Sequence, residues 1–193
     1  MRRLAGYITD YMIQHNIESE DERELCIYSY ECLLSKVFGN GIFIVMGILL
    51  NRFVPTLLFM LGFLGLRERT GGFHMKSRKS CVLVSVIAYL MMIYLGERSF
   101  INTGLSKGLI ILLSVFIILL YAPVNHPNLN LSKEEIRQSR LLSIVRLGIL
   151  LICIVIIDRV TFLKMDTVYL VLGIGLDALG IILAKMKKQE VRM

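Results

Sequence analysis

The sequence predicts an all-α, polytopic integral membrane protein with about six transmembrane helices and an amphipathic N-terminal helical segment. Of its 193 residues, 55% are hydrophobic, and the mean hydropathy of +0.67 is too high for an ordinary soluble domain. Six apolar stretches alternate with short polar or basic segments. The length allows one domain, so a single membrane domain over residues 1–193 is expected.

The first 32 residues predict two helices before the first span. The apolar side chains in residues 4–16 fall on one side of a helix, which favours a position in the membrane interface. They are Leu4, Tyr7, Ile8, Tyr11 and Met12. Residues 19–22, Ser-Glu-Asp-Glu, match a capping box, so a second helix should start there and lead into the bilayer. No signal peptide is visible after Met1, and insertion is expected to use the internal spans.

The predicted spans are residues 33–50, 53–66, 81–95, 109–122, 141–157 and 168–184. The second span has only 14 residues, fewer than the ~20 of a full crossing, so it should be tilted, sunk into a thinned region or partly re-entrant. Gly62 and Gly65 in that span would permit close packing against a neighbouring helix. Residues 132–135, Ser-Lys-Glu-Glu, predict another capped helix start.

The distribution of basic residues predicts the orientation. With the N-terminus inside, the inner segments hold 16 Lys and Arg residues and the outer segments hold 5. The positive-inside rule therefore places both termini and the 67–80 loop in the cytoplasm. The net charge is −4 over residues 1–32 and +11 over the remainder. The excess of positive charge after residue 32 would attract anionic lipid or an acidic partner, although the ordinary positive-inside topology accounts for most of these charges.

A thiol and an imidazole lie in the most cationic loop. His74 and Cys81 are seven residues apart, among the basic side chains Arg67, Arg69, Lys76, Arg78 and Lys79. Positive charge favours the reactive thiolate, and an imidazole can take the thiol proton. Seven residues of straight helix rise roughly 10 Å, so a dyad requires the chain to fold back, and Gly71 and Gly72 supply that freedom. Histidines and cysteines at span ends are also common without any catalytic role.

Two charged residues inside predicted spans form a second candidate feature. Arg146 and Asp177 lie at nearly equal depths from the inner ends of the fifth and sixth spans. Because charges within a bilayer are costly and usually partnered, a structural ion pair between them is predicted. The alternative is that Asp177 orients His74.

The remaining thiols and imidazoles are weaker candidates. Cys26 and Cys32 lie on the N-terminal helix, and Cys153 lies mid-span, where packing is the simpler interpretation. His126 could approach the site from the second cytoplasmic loop. A metal site made of His74, Cys81 and His126 lacks a dependable fourth ligand, so neither a metal nor another cofactor is expected. No nucleic-acid partner is expected either.

The loop around Cys81 resembles the AgrB family of bacterial membrane peptidases. The specific part of the resemblance is the core Arg-x4-Gly-x-His-x6-Cys, formed by Arg67, Gly72, His74 and Cys81 and preceded by Gly71. The sequence Ala-Pro-Val-Asn-His-Pro-Asn from residue 122, followed by a Ser-x-Glu-Glu helix start, also resembles the family's cytoplasmic Ala-Pro loop. The resemblance covers most of the chain. It departs where the family's second loop often carries lysines and this chain has Asn125, His126, Asn128 and Asn130.

The resemblance implies a cysteine endopeptidase of the bacterial cell membrane that matures a quorum-sensing pheromone. Cys81 would be the nucleophile and His74 its base, supported by Arg67, Gly71, Gly72, Arg69 and Lys76. The implied partner is an AgrD-like precursor with an amphipathic leader and an acidic tail. Removal of the tail would leave a thioester that the precursor's own cysteine could convert to a cyclic thiolactone. The alternative is a peptide exporter or permease in which Arg146 and Asp177 line a pathway. A homodimer is left open.

Overall fold

The computed structural model describes residues 1–15, 17–73, 78–125, 132–159 and 166–187. These residues form seven α-helices and one 3₁₀ helix with no strand among them, which confirms the all-α class. The helices are α1 (Arg2–Gln14), α2 (Arg23–Leu49), α3 (Phe53–Thr70), α4 (Arg78–Gly96), α5 (Gly104–Tyr121), α6 (Lys133–Arg159) and α7 (Thr167–Met186). Two compact units, Met1–Leu49 and Leu50–Met193, are described in turn. The single domain stays a prediction.

The first unit is a pair of helices with an apolar outer face. Ala5 and Thr9 of α1 are fully buried, whereas Leu4, Tyr7 and Tyr11 expose more than half of their surface. The exposed side is the apolar side that the sequence predicts for a membrane interface. An ion pair between Arg23 of α2 and Asp10 of α1, with an N–O distance of 2.7 Å, joins the two helices.

Both predicted helix starts carry a serine cap. Ser19 Oγ accepts a hydrogen bond from Asp21 N at 3.3 Å and caps the 3₁₀ helix Glu20–Glu22, which continues directly into α2. At α6, Ser132 Oγ accepts from Glu135 N at 3.3 Å, and Glu135 Oε2 accepts from Ser132 N at 2.8 Å. This reciprocal pair is a complete capping box.

Helices of the described residues coincide with all six predicted spans. By length and composition, four are apolar enough to cross a membrane: Glu20–Leu49, Gly104–Tyr121, Lys133–Arg159 and Thr167–Met186. Ser80–Gly96 is a shorter apolar helix. These helices support a polytopic membrane protein, while the number of six crossings stays a prediction.

The helix α3 is longer than its predicted span. It continues past Leu66 to Thr70 and ends where Gly71 adopts a positive φ of 69°. Arginine and glutamate favour helix, and glycine tolerates the positive φ at which this helix ends. The prediction that Arg67 begins a loop is therefore wrong, because Arg67, Glu68, Arg69 and Thr70 form the last turn of α3.

Helix α7 is the centre of the second unit. Every residue of the range 167–174 is buried, and α3, α4, α5 and α6 all contact α7. A helix that is buried on all sides is expected to be apolar all round. Apart from Thr167 and Tyr169, this stretch is apolar. The contacts with α7 therefore fix the positions of the other four helices.

Glycines allow α3 and α7 to approach at backbone distance. A Cβ added to Gly62 would lie 2.5 Å from the Leu170 carbonyl oxygen, and one added to Gly173 would lie 2.5 Å from the Phe59 carbonyl oxygen. Small residues permit this approach between membrane helices. The packing predicted for Gly62 is confirmed. It is wrong for Gly65, because a Cβ there would meet no atom of the described residues within 4 Å.

Ion pairs join the helices at one end of the second unit. Lys107 Nζ at the start of α5 lies 3.0 Å from Asp158 Oδ1 near the end of α6, and also donates to Thr167 Oγ1 at 3.1 Å. Arg52 and Glu97 pair at 2.7 Å between the start of α3 and the end of α4. Because the chain reverses between α3 and α4, Thr70 and Cys81 lie at the opposite end.

Candidate functional site

The end of α3 forms the first wall of the candidate site. Arg67 and Thr70 are one turn apart and therefore share a face of this helix. Arg69 lies roughly 200° around the helix from Arg67. It is half-buried, and no hydrogen bond or ion pair of the described residues joins it to Cys81. Its predicted supporting role stays a prediction.

Two glycines turn the chain after α3. Gly71 and Gly72 adopt φ values of 69° and 125°, which side-chain-bearing residues rarely adopt. A Cβ on Gly71 would lie 2.5 Å from the Val124 carbonyl oxygen, and one on Gly72 would overlap the Arg67 guanidinium. Both positions therefore require glycine for conformation and for space.

Backbone hydrogen bonds attach this turn to its surroundings. Phe73 N donates to Gly180 O of α7 at 3.0 Å, and Val124 N donates to Thr70 O at 2.8 Å. Val124 belongs to the Ala-Pro segment that the sequence places in the second cytoplasmic loop. The structure thus brings the two predicted loops together.

Arg67 lies at the centre of the turn. Its guanidinium donates to the Phe73 carbonyl and lies beside Gly72 and Gly180, where any side chain would crowd it. It interacts electrostatically with Asp177 and with Cys81. This cation therefore connects the buried carboxyl group of α7 with the predicted nucleophile.

Cys81 lies in the first turn of α4. It is the fourth residue of that helix, is partly buried and carries a free thiol. This places the thiol at the positive end of the α4 helix dipole and within electrostatic reach of Arg67. His74 and Lys76 lie outside the described residues, so the predicted dyad geometry stays a prediction.

Asp177 and Arg146 have partners other than each other. Asp177 is fully buried, and its Oδ1 accepts a hydrogen bond from Thr70 Oγ1 at 3.0 Å. Arg146 donates to Gly65 O at 2.8 Å and pairs with Glu68 at 3.3 Å. The predicted Arg146–Asp177 ion pair is therefore wrong. Matching depths fix the level of a charge along the bilayer normal but not the neighbour that its side chain faces.

The other cysteines lie on different elements. Cys26 donates to Glu18 Oε2 at 3.2 Å within the first unit, Cys32 is on α2, and Cys153 is on α6. All three are free thiols.

Sequence reasoning missed Thr70 and Gly180 as site residues. The one-turn spacing of Arg67 and Thr70 could have indicated the former, whereas nothing in the sequence indicates the latter.

These features define a polytopic membrane protein with a thiol at a helix start, at the same end of the second unit as a partly buried arginine and a glycine turn. The chain belongs to the accessory gene regulator B family, which it matches over residues 5–183. Membership connects it with the processing of an autoinducer precursor peptide. Comparisons with curated proteins and with solved structures give no match.

Proposed function

We propose that this protein is a membrane cysteine endopeptidase that cleaves a quorum-sensing pheromone precursor through an acyl-enzyme on Cys81. The observation that carries the proposal is the position of Cys81, in the first turn of α4 and within electrostatic reach of Arg67. Membership of the accessory gene regulator B family supports the substrate class.

The proposed reaction has two steps. His74 takes the thiol proton, and the Cys81 thiolate attacks the carbonyl carbon at the junction between the signal segment and the acidic tail. The peptide C–N bond breaks, the tail leaves as the protonated amine, and a thioester remains on Cys81. Attack by the precursor's own thiol then transfers the acyl group and forms the ring.

The second step requires the exclusion of water. Exchange of one thioester for another is nearly neutral in free energy, whereas hydrolysis is strongly downhill. A thioester protected from water can therefore persist until the ring closes. The partly buried position of Cys81, at the start of the apolar helix Ser80–Gly96, supports such protection.

The acyl-enzyme can be trapped with a precursor that cannot cyclise. Purified protein would be incubated with a synthetic precursor whose ring-forming cysteine is replaced by alanine, then digested and analysed by mass spectrometry. The mass of the signal segment is expected on the peptide that contains Cys81, together with free tail. The matched control is the natural precursor, which should leave less adduct. Signal-segment mass on a residue other than Cys81, or equal tail release from this precursor by Cys81→Ala, would contradict the mechanism.

The proposed orientation places both termini and the loop that contains Ser77 in the cytoplasm, supported by 16 inner against 5 outer basic residues. A Ser77→Cys variant in a background without the native cysteines should resist an impermeant maleimide in intact cells. The same variant should be labelled in inverted vesicles. Labelling of intact cells would contradict this orientation and the delivery of precursor from the cytoplasm.

A further inference from the structure

We propose that Asp177 is a positioning residue that holds the Arg67 guanidinium beside Cys81. The inference deepens the proposed function, on which its relevance to catalysis rests. It is carried by the contacts of Asp177, Thr70 and Arg67, all of which lie at the end of the second unit where α4 begins.

The Asp177 side chain is fully buried, and its two carboxyl oxygens differ in their hydrogen bonds. Its exposed fraction is 0%, and Oδ1 accepts the hydrogen bond from Thr70. Within the described residues Oδ2 has no hydrogen-bond partner. A buried carboxylate oxygen without a hydrogen bond is costly, so a nearby positive charge is needed to compensate it.

Arg67 is the cation that meets this need. It lies on the same face of α3 as Thr70, and its guanidinium lies beside Gly180, one turn along α7 from Asp177. A partly buried guanidinium is itself unfavourable without an opposite charge. Each group therefore stabilises the other in a buried position, and the carboxylate restrains the direction in which Arg67 extends.

The position of Arg67 determines the surroundings of the thiol. Its donation to the Phe73 carbonyl holds the turn that begins at Gly71, and its charge reaches Cys81. Asp177 acts on the site through these contacts of Arg67. Without the carboxylate, the guanidinium has no compensating charge in place and is expected to turn toward solvent, away from the thiol.

The test measures the rate of Cys81 alkylation, which requires no precursor. In a background with Cys26, Cys32 and Cys153 replaced by serine, the second-order rate with iodoacetamide would be measured near neutral pH. Asp177→Asn keeps the shape and the Thr70 hydrogen bond but loses the charge. Asp177→Asn and Arg67→Gln should each slow alkylation at least about threefold. Because they act through one interaction, the double variant should be no slower than the slower single variant.

Controls separate positioning from general destabilisation. Asp158→Asn makes the same chemical change at the opposite end of the unit, where Asp158 pairs with Lys107, and should leave the rate unchanged. A merely structural role for Asp177 would loosen the fold and expose the thiol, which would speed alkylation. An unchanged or faster rate in Asp177→Asn would therefore overturn the proposal, as would additive losses in the double variant.

A relocated carboxylate provides a second test that does not depend on the stability of Asp177→Asn. The exchange Thr70→Asp with Asp177→Thr keeps a carboxylate and a hydroxyl in contact and leaves the charge within reach of Arg67. It should restore most of the alkylation rate, and failure to do so in a folded protein would contradict the proposal. A different result would refute the proposed function alone. In that case the wild-type protein cleaves no precursor, yet Asp177→Asn and Arg67→Gln still slow the alkylation of Cys81 without additive losses in the double variant.

Discussion

Replacement of Cys81 by alanine is expected to abolish release of the precursor's acidic tail while leaving precursor binding intact. Alanine removes the sulfur atom that is proposed to form the acyl-enzyme, whereas its smaller side chain should leave the helices unchanged. Cys81→Ser should also be almost inactive, because a hydroxyl is a far poorer nucleophile than a thiolate near neutral pH. Tail release would be followed by mass spectrometry and binding by co-purification of a tagged precursor.

Variants of His74 and of the other three cysteines complete this experiment. His74→Ala should lower the rate about 10²–10⁴-fold, the usual contribution of a general base. Cys26→Ala, Cys32→Ala and Cys153→Ala are the matched controls and should retain activity, because these thiols lie on α2 and α6. Normal tail release by Cys81→Ala would end the peptidase assignment at this residue and favour the exporter.

The second large effect is expected at the contact between α3 and α7. Gly62→Ala and Gly173→Ala should each lower the melting temperature in detergent, measured by far-UV circular dichroism. The added Cβ would be only 2.5 Å from a backbone carbonyl oxygen of the other helix, so the helices must separate. Overpacking of this kind typically costs about 1–3 kcal/mol and sometimes more.

Gly65→Ala is the matched control for this prediction. It makes the same substitution on α3, one turn from Gly62, but within the described part of the chain the added Cβ meets nothing within 4 Å. Alanine favours helix over glycine by up to about 1 kcal/mol, so this variant should be at least as stable as the natural chain. If Gly62→Ala melted as high as Gly65→Ala, the described contact between the helices would be incorrect.

The helices were largely predictable because their signals are local. The six apolar stretches, the serine caps at Ser19 and Ser132, and the glycines after α3 all lie within a few residues of the features that they determine. The predicted end of α3 is too early because the charges of Arg67 and Glu68 resemble the start of a loop, although both residues are good helix formers.

The site was predictable in its members but not in its contacts. The resemblance indicated Arg67, Gly72 and Cys81, yet only the fold shows that Asp177 meets Thr70 and that Phe73 meets Gly180. Those partners come from helices more than 100 residues apart, and their alignment depends on how α3 and α7 pack. Periodicity gives the face of a helix, but it cannot identify the helix that covers that face.

The central position of α7 has a consequence for biosynthesis. The helices α3 to α6 precede α7 in the chain, so during translation they leave the ribosome before the helix against which they pack. Asp177 and Gly180, which meet Thr70 and Phe73, are also contributed by this late helix. A nascent chain in which α7 has not yet been synthesised should therefore hold Cys81 but lack the surroundings described here.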